Sequence, residues 1–160
     1  MEITQLSSSY FVRTLEEEDL EMIYRLSVGN RIFYEHHPPF VTRQSILEDM
    51  NALPPGKSYD DKFYIGFFSG NNLIAIMDLI HGFPQGDIAF IGLFMMDPQY
   101  QGKGTGSRII QECIAYLRRQ GFRSVQLGVD KGNPQSLAFW KKNGFTITSE
   151  DAYIRMEMVL

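Results

Sequence analysis

The chain contains a single cysteine, Cys113, among 160 residues. No disulfide can close within it, and one lone thiol suits a reducing, cytoplasmic setting. Cys113 falls on the apolar side of a helical pattern, so it reads as a small core residue rather than a nucleophile. Long hydrophobic runs are missing too. "LIAIMDLI" is interrupted by Asp78, and "AFIGLFMM" is far shorter than the ~20 residues of a spanning helix, so no membrane segment is expected. The opening "MEITQLSSSY" has neither a basic region nor an apolar stretch, and no signal peptide is expected. An excess of positive charge is also absent. With 15 Lys and Arg against 19 Asp and Glu, the net charge is −4, which argues against a nucleic-acid partner. His36 and His37 are adjacent, yet no Cys, His or Asp spacing completes a metal site around them, so no metal is expected.

What is present is ordinary for one globular domain over 1–160, with 44% hydrophobic and 21% charged residues. "YFVRTL" (10–15) predicts a strand, and "EEEDLEMIYRLSV" (16–28) an amphipathic helix with acids in its first turn. The prolines of "NRIFYEHHPPF" (30–40) suggest a loop or broken turn. Thr42 can cap a helix running to about Ala52. A hairpin follows over 62–69 and 73–81, then the nearly all-apolar strand "DIAFIGLFMM" (87–96), read as central and buried on both faces. A helix over 105–120, a strand over 124–129, a helix opened by Asn133 and Pro134, and a strand over 152–160 complete the chain. The order is β-α-α-β-β-β-α-β-α-β. The fold class is α/β (α+β), a mixed but mostly antiparallel twisted sheet flanked by about four helices.

Between the apolar strand and the next helix, "MMDPQYQGKGTGSRII" places Gly102, Gly104 and Gly106 within five positions. Glycine costs a helix about 1 kcal/mol relative to alanine, so three at a helix entrance need a reason. Such an entrance exposes unpaired N–H groups and the positive end of the helix dipole, an arrangement that suits a phosphate; a flexible connection without a ligand is the alternative. A Walker loop does not fit, because Lys103 is followed by Gly104 and no glycine lies five positions before Gly102. A Rossmann G-x-G-x-x-G would need glycine where Ser107 stands.

The pattern that fits is Gln101-x-x-Gly104-x-Gly106, and with "NPQSLAFWKKNGF" some thirty residues later the chain resembles the GNAT superfamily of N-acetyltransferases. The resemblance is strong over roughly 62–146 and vague over 1–60. It implies an acetyl-CoA-dependent transfer of an acetyl group to a primary amine by direct attack in a ternary complex; a non-catalytic acyl-CoA-binding module is the alternative. It further implies that Gln101, Gly102, Lys103, Gly104, Thr105, Gly106 and Ser107 surround the pyrophosphate. Lys103 can equally be a solvated lysine. Phe94 and Met96 would offer backbone groups to the pantetheine arm, one of their amides polarising the thioester carbonyl. Asn133 would touch the CoA arm, cap its helix, or do both. Trp140 stands where many relatives carry an acidic tyrosine, and indole N–H is no useful proton donor, so Trp140 would line the CoA arm or fill the core.

An alkyl amine is neutral in roughly one molecule per 2,500 at pH 7, so a base is expected. The central strand carries no glutamate, and the candidates are Glu35, His36 and His37, with Asp78 and His81 on the preceding strand. Tyr34 and Phe40 would border the amine acceptor, a small molecule or peptide. The resemblance leaves a homodimer open.

Overall fold

Alternating and continuous apolar segments assemble, in a computed structural model describing residues 1–160, into one seven-stranded sheet. The strands are β1 (Phe11–Thr14), β2 (Lys62–Ser69), β3 (Asn72–His81), β4 (Ile88–Met96), β5 (Ser124–Val129), β6 (Thr146–Glu150) and β7 (Ile154–Val159). The helices are α1 (Leu20–Val28), α2 (Arg31–His36), α3 (Arg43–Asn51), α4 (Thr105–Arg119) and α5 (Pro134–Lys142). Across the sheet the order is β1-β2-β3-β4-β5-β7-β6, and only the β4–β5 pair is parallel. The mixed, mostly antiparallel architecture is therefore the one expected.

Two elements exceed the expected order. Residues 31–36 form the short helix α2, because Pro38 and Pro39 lie beyond it; they end a helix by restricting the residue before them without preventing one upstream. Residues 146–150 form the edge strand β6, exposed along its whole length, so no apolar alternation announced it. Thr42 does cap α3, its Oγ1 accepting the Ser45 N–H at 3.0 Å.

Side chains alternate across the strands, so the sheet carries a core on each face. On one face α4 lays Ile109, Ile110, Cys113, Ile114 and Leu117 against Ile65, Phe67, Met77 and Val125. On the other, Ile23 and Leu26 of α1 and Ile46 of α3 cover Tyr64, Phe68, Ile76 and Met95.

β4 is not buried throughout, as the apolar run suggested. Asp78 of β3 pairs with Leu93, but Leu79 pairs with Ile91, which makes Gly92 an extra, bulged residue. A bulge bends its strand and increases the local twist. The parallel ladder to β5 ends at this point, with Ile91 opposite Leu127. β4 and β5 part company, Gly92 becomes exposed, and Leu93 and Phe94 are only half-buried.

Ile110→Ala removes a fully buried side chain between α4 and the sheet. It should lower unfolding free energy by about 2–5 kcal/mol in urea titrations, whereas Ile147→Ala on exposed β6 should change it by no more than about 0.5 kcal/mol. Equal effects would contradict this placement of the core.

Candidate active site

The chain leaves β4 at Met96, and Asp97 Oδ1 accepts the Gln99 N–H at 2.8 Å to close a single 3-10 turn over Pro98–Tyr100. Gly102 and Gly104 then adopt φ of +73° and +79°, left-handed backbone that other residues avoid. Gly106 serves a different purpose: a Cβ there would lie 3.3 Å from Phe139 Cε1 and 3.5 Å from Met96 Cγ, so its bare backbone lets α4 approach both. The first helical bond runs from the Arg108 N–H to the Gly104 carbonyl at 3.0 Å. The N–H groups from Gly102 to Ser107 consequently have no backbone acceptor, and they sit at the positive end of a fifteen-residue helix. This entrance suits a polyanion.

Opposite it, Asn133 Oδ1 accepts the Ser136 N–H at 3.2 Å and starts α5 with Pro134 in the first helical position. At the far end of α5, buried Asn143 donates from Nδ2 to Ser107 Oγ (3.1 Å) and to the Phe139 carbonyl (2.9 Å). Ser107 Oγ thus accepts from Asn143, and its own hydrogen is free to donate. Between the two helix ends and β4 lies a cavity of ≈ 670 Å³. Of the residues expected around a cofactor, Phe94, Met96, Gln101, Gly102, Gly104, Gly106, Ser107, Asn133 and Trp140 line it. Lys103 and Thr105 are not in its wall, Lys103 being exposed. The Gln101 side chain is occupied within the protein, donating to Asn30 Oδ1 (2.9 Å) and to the Met96 carbonyl (3.2 Å). Trp140 packs at 5.1 Å on buried Phe145 and also forms part of the cavity wall with Phe94, 6.0 Å away.

A second cavity of ≈ 400 Å³ opens where β4 and β5 separate, and Phe33, Phe94, Ser136 and Trp140 border both cavities. Tyr34, His37 and Asp78 of the expected acceptor residues line it. Burial pushes the Tyr34 hydroxyl up to about 12. His37 Nδ1 lies 3.0 and 3.2 Å from the two carboxylate oxygens of Asp130. An ionised carboxylate only accepts, so Nδ1 carries the hydrogen and the neutral imidazole keeps its lone pair on Nε2. Asp78 Oδ2 accepts from Lys62 Nζ at 2.8 Å, and that lysine side chain is 3% exposed. Burial raises the Asp78 carboxyl against the opposing pull of Lys62, and its Oδ1 is buried without a partner. Gly92 makes room for this carboxylate, since a Cβ there would lie 3.1 Å from Oδ2.

Four of the residues expected as base or acceptor contacts are in neither wall. Glu35 is exposed, His36 is half-buried elsewhere, Phe40 packs on Tyr34 from outside at 5.3 Å, and His81 meets Phe122 edge-on at 4.9 Å. Conversely, sequence reasoning missed Asp49, Asp130, Asn30 and Phe33, which acquire a role only when α1, α2 and α3 fold against the parted strands.

Residues 13–145 match the acetyltransferase (GNAT) family. The chain belongs to that family. An uncharacterised N-acetyltransferase of Methanocaldococcus jannaschii is 32% identical over 148 residues, 91% of this GNAT chain and 64% of that protein; the chain thus spans less than two thirds of that relative's length. The fold matches the crystal structure of an acetyltransferase from Thermus thermophilus with a TM-score of 0.81 at 19% identity, covering 95% of this chain and 97% of that one. It also matches the PaiA N-acetyltransferase of Thermoplasma acidophilum in complex with coenzyme A, with a TM-score of 0.71 at 20% identity over 95% and 99% of the two chains.

Asp78→Asn in this GNAT protein would leave the Lys62 ammonium buried and unpaired. The expected loss is about 3 kcal/mol of unfolding free energy in urea, largely recovered when Lys62→Met is added. A loss below about 1 kcal/mol would mean the pair contributes little.

Proposed function

We propose that the protein is an N-acetyltransferase that moves an acetyl group from acetyl-CoA to a primary amine by direct attack in a ternary complex. The observation that carries this reading is the meeting of two unlike cavities at Phe94 and Trp140. One has a helix entrance with unpaired amides; the other is bordered by an imidazole oriented through its Nδ1.

The amides of residues 102–107 and the Ser107 hydroxyl hold the paired phosphates of the coenzyme. Acetyl-CoA supplies a thioester carbonyl as electrophile and a thiolate as leaving group. Backbone N–H groups of β4 beyond Ile91, which have lost their β5 ladder, are available to that carbonyl oxygen. His37 Nε2 takes the proton that keeps an alkyl ammonium from attacking, while Asp130 holds the ring and favours the resulting imidazolium. As the nitrogen–carbon bond forms and the carbon–sulfur bond breaks, the thiol, with an ordinary pKa near 8.5, leaves as the thiolate and is protonated by water, so tryptophan at position 140 is compatible with turnover. Cys113, fully buried with its thiol pushed up by desolvation, is not an acyl carrier.

Thiol release from acetyl-CoA in the presence of a panel of primary amines tests the reaction. Turnover should be detected, and His37→Gln should reduce kcat about a hundredfold or more while leaving the Kd for CoA within about twofold. Asp130→Asn should lower kcat in the same direction. CoA binding without turnover on any amine would instead favour a non-catalytic acyl-CoA-binding module, the reading that Trp140 in place of a tyrosine keeps in view.

A further inference from the structure

The acceptor cavity has an uneven charge. Three carboxylates, Asp49, Asp78 and Asp130, line it, and no arginine or lysine does. Two of the three have partners: Asp78 is paired with Lys62, and Asp130 with His37. Asp49, at the C-terminal end of α3, makes no ion pair and no side-chain hydrogen bond.

The Asp49 carboxylate is open to the cavity, yet surrounding protein withdraws enough water to raise its carboxyl above the usual range, with His37 and Lys62 pulling the other way. Its charge is felt by the hydroxyls of Tyr34 and Tyr64, both in the same wall. A carboxylate without a partner, in a cavity wall that also carries two tyrosines, is a favourable seat for an ammonium group, which gains from the charge and donates to the carboxylate. The same wall disfavours a carboxylate or phosphate, because its three carboxylates outnumber its one imidazole and no lysine or arginine lines it.

We propose that Asp49 selects acceptors bearing a second positive charge, so that the substrate is a slender aliphatic diamine or longer polyamine. One nitrogen reaches the imidazole of His37, and the distal ammonium rests between Asp49, Tyr34 and Tyr64. This rests on the acetyl transfer proposed above and assigns its acceptor class. Asp49 is a specificity-determining residue in this account, not a proton acceptor.

Three acceptors built on the same four carbons separate the distal group by charge: 1,4-diaminobutane, 1-aminobutane and 4-aminobutanoate. With the full chain and acetyl-CoA, kcat/KM from thiol release should be at least tenfold higher for the diamine than for the monoamine, and lowest for the amino acid. Asp49→Asn, a near-isosteric change at an exposed helix end, should bring the diamine-to-monoamine ratio towards one, with an unchanged melting midpoint reporting an intact fold. A ratio near one in the unmodified protein, a preference for 4-aminobutanoate, or a ratio unaltered by Asp49→Asn would overturn the selectivity while leaving the transfer reaction standing. Thiol release with none of the three, or with any other primary amine, would refute the reaction and this selectivity with it.

Discussion

A single inserted residue governs the geometry of this protein. Gly92 gives β4 one more residue than the β3 segment it pairs with, and the neighbouring parallel ladder ends at Ile91 and Leu127. A continuous sheet would have sealed the centre of the molecule with paired backbone and apolar side chains. The bulge instead turns β4 away from β5 and leaves main-chain groups without strand partners, flanked by half-buried Phe94. That the bulged residue is glycine matters twice over. It tolerates the local bend, and it leaves space for the carboxylate that Asp78 projects from β3.

The two cavities follow from this parting of strands. On one side the helices after β4 and β5 enter the gap, α5 capped by Asn133 and α4 left uncapped, and Asn143 ties them together through Ser107. On the other side α2 and α3 bring His37 and Asp49 to the opening. The tie between the halves is made by Asn30, whose amide donates to the Leu26 and Met96 carbonyls at 3.0 Å while its oxygen accepts from Gln101. The side chain of the first residue in the glycine-rich signature therefore acts as a buckle between the loop and the α1–α2 junction. Its amide, in turn, donates to the Pro98 carbonyl at 3.3 Å, so the entrance proper begins one residue later, at Gly102.

Legibility in the sequence followed the range of the interaction. Elements made by local periodicity were readable: β5 runs over 124–129 as expected, and α4 and α5 begin at Thr105 and Pro134 where their entrance residues pointed. The glycine-rich entrance was readable as well, although its three glycines do two different jobs. β6 was not, because "TITSE" has no apolar face and is ordered only by pairing with β7. The sequence offered Glu35, His36 and His37 as proton-acceptor candidates with nothing to separate them, and only His37 reaches a cavity wall. His37 differs from its neighbour His36 through one partner, Asp130, which lies 93 positions away and carries no local signal. Asp49 reads as one more polar residue on an amphipathic helix until Tyr34, Tyr64 and the parted strands surround it. The bulge itself could not be read, since the pairing that defines it belongs to two strands at once.

The central claim is that the parted β4 and β5 strands, with the amides of the α4 entrance, form one continuous coenzyme-binding surface. Amide chemical shifts followed during titration of the labelled protein with CoA test it most directly. The account predicts the largest changes at residues 102–107 and 93–96, with little change along β1 and β6. Changes confined to other regions, or no change at saturating CoA in correctly folded protein, would contradict it.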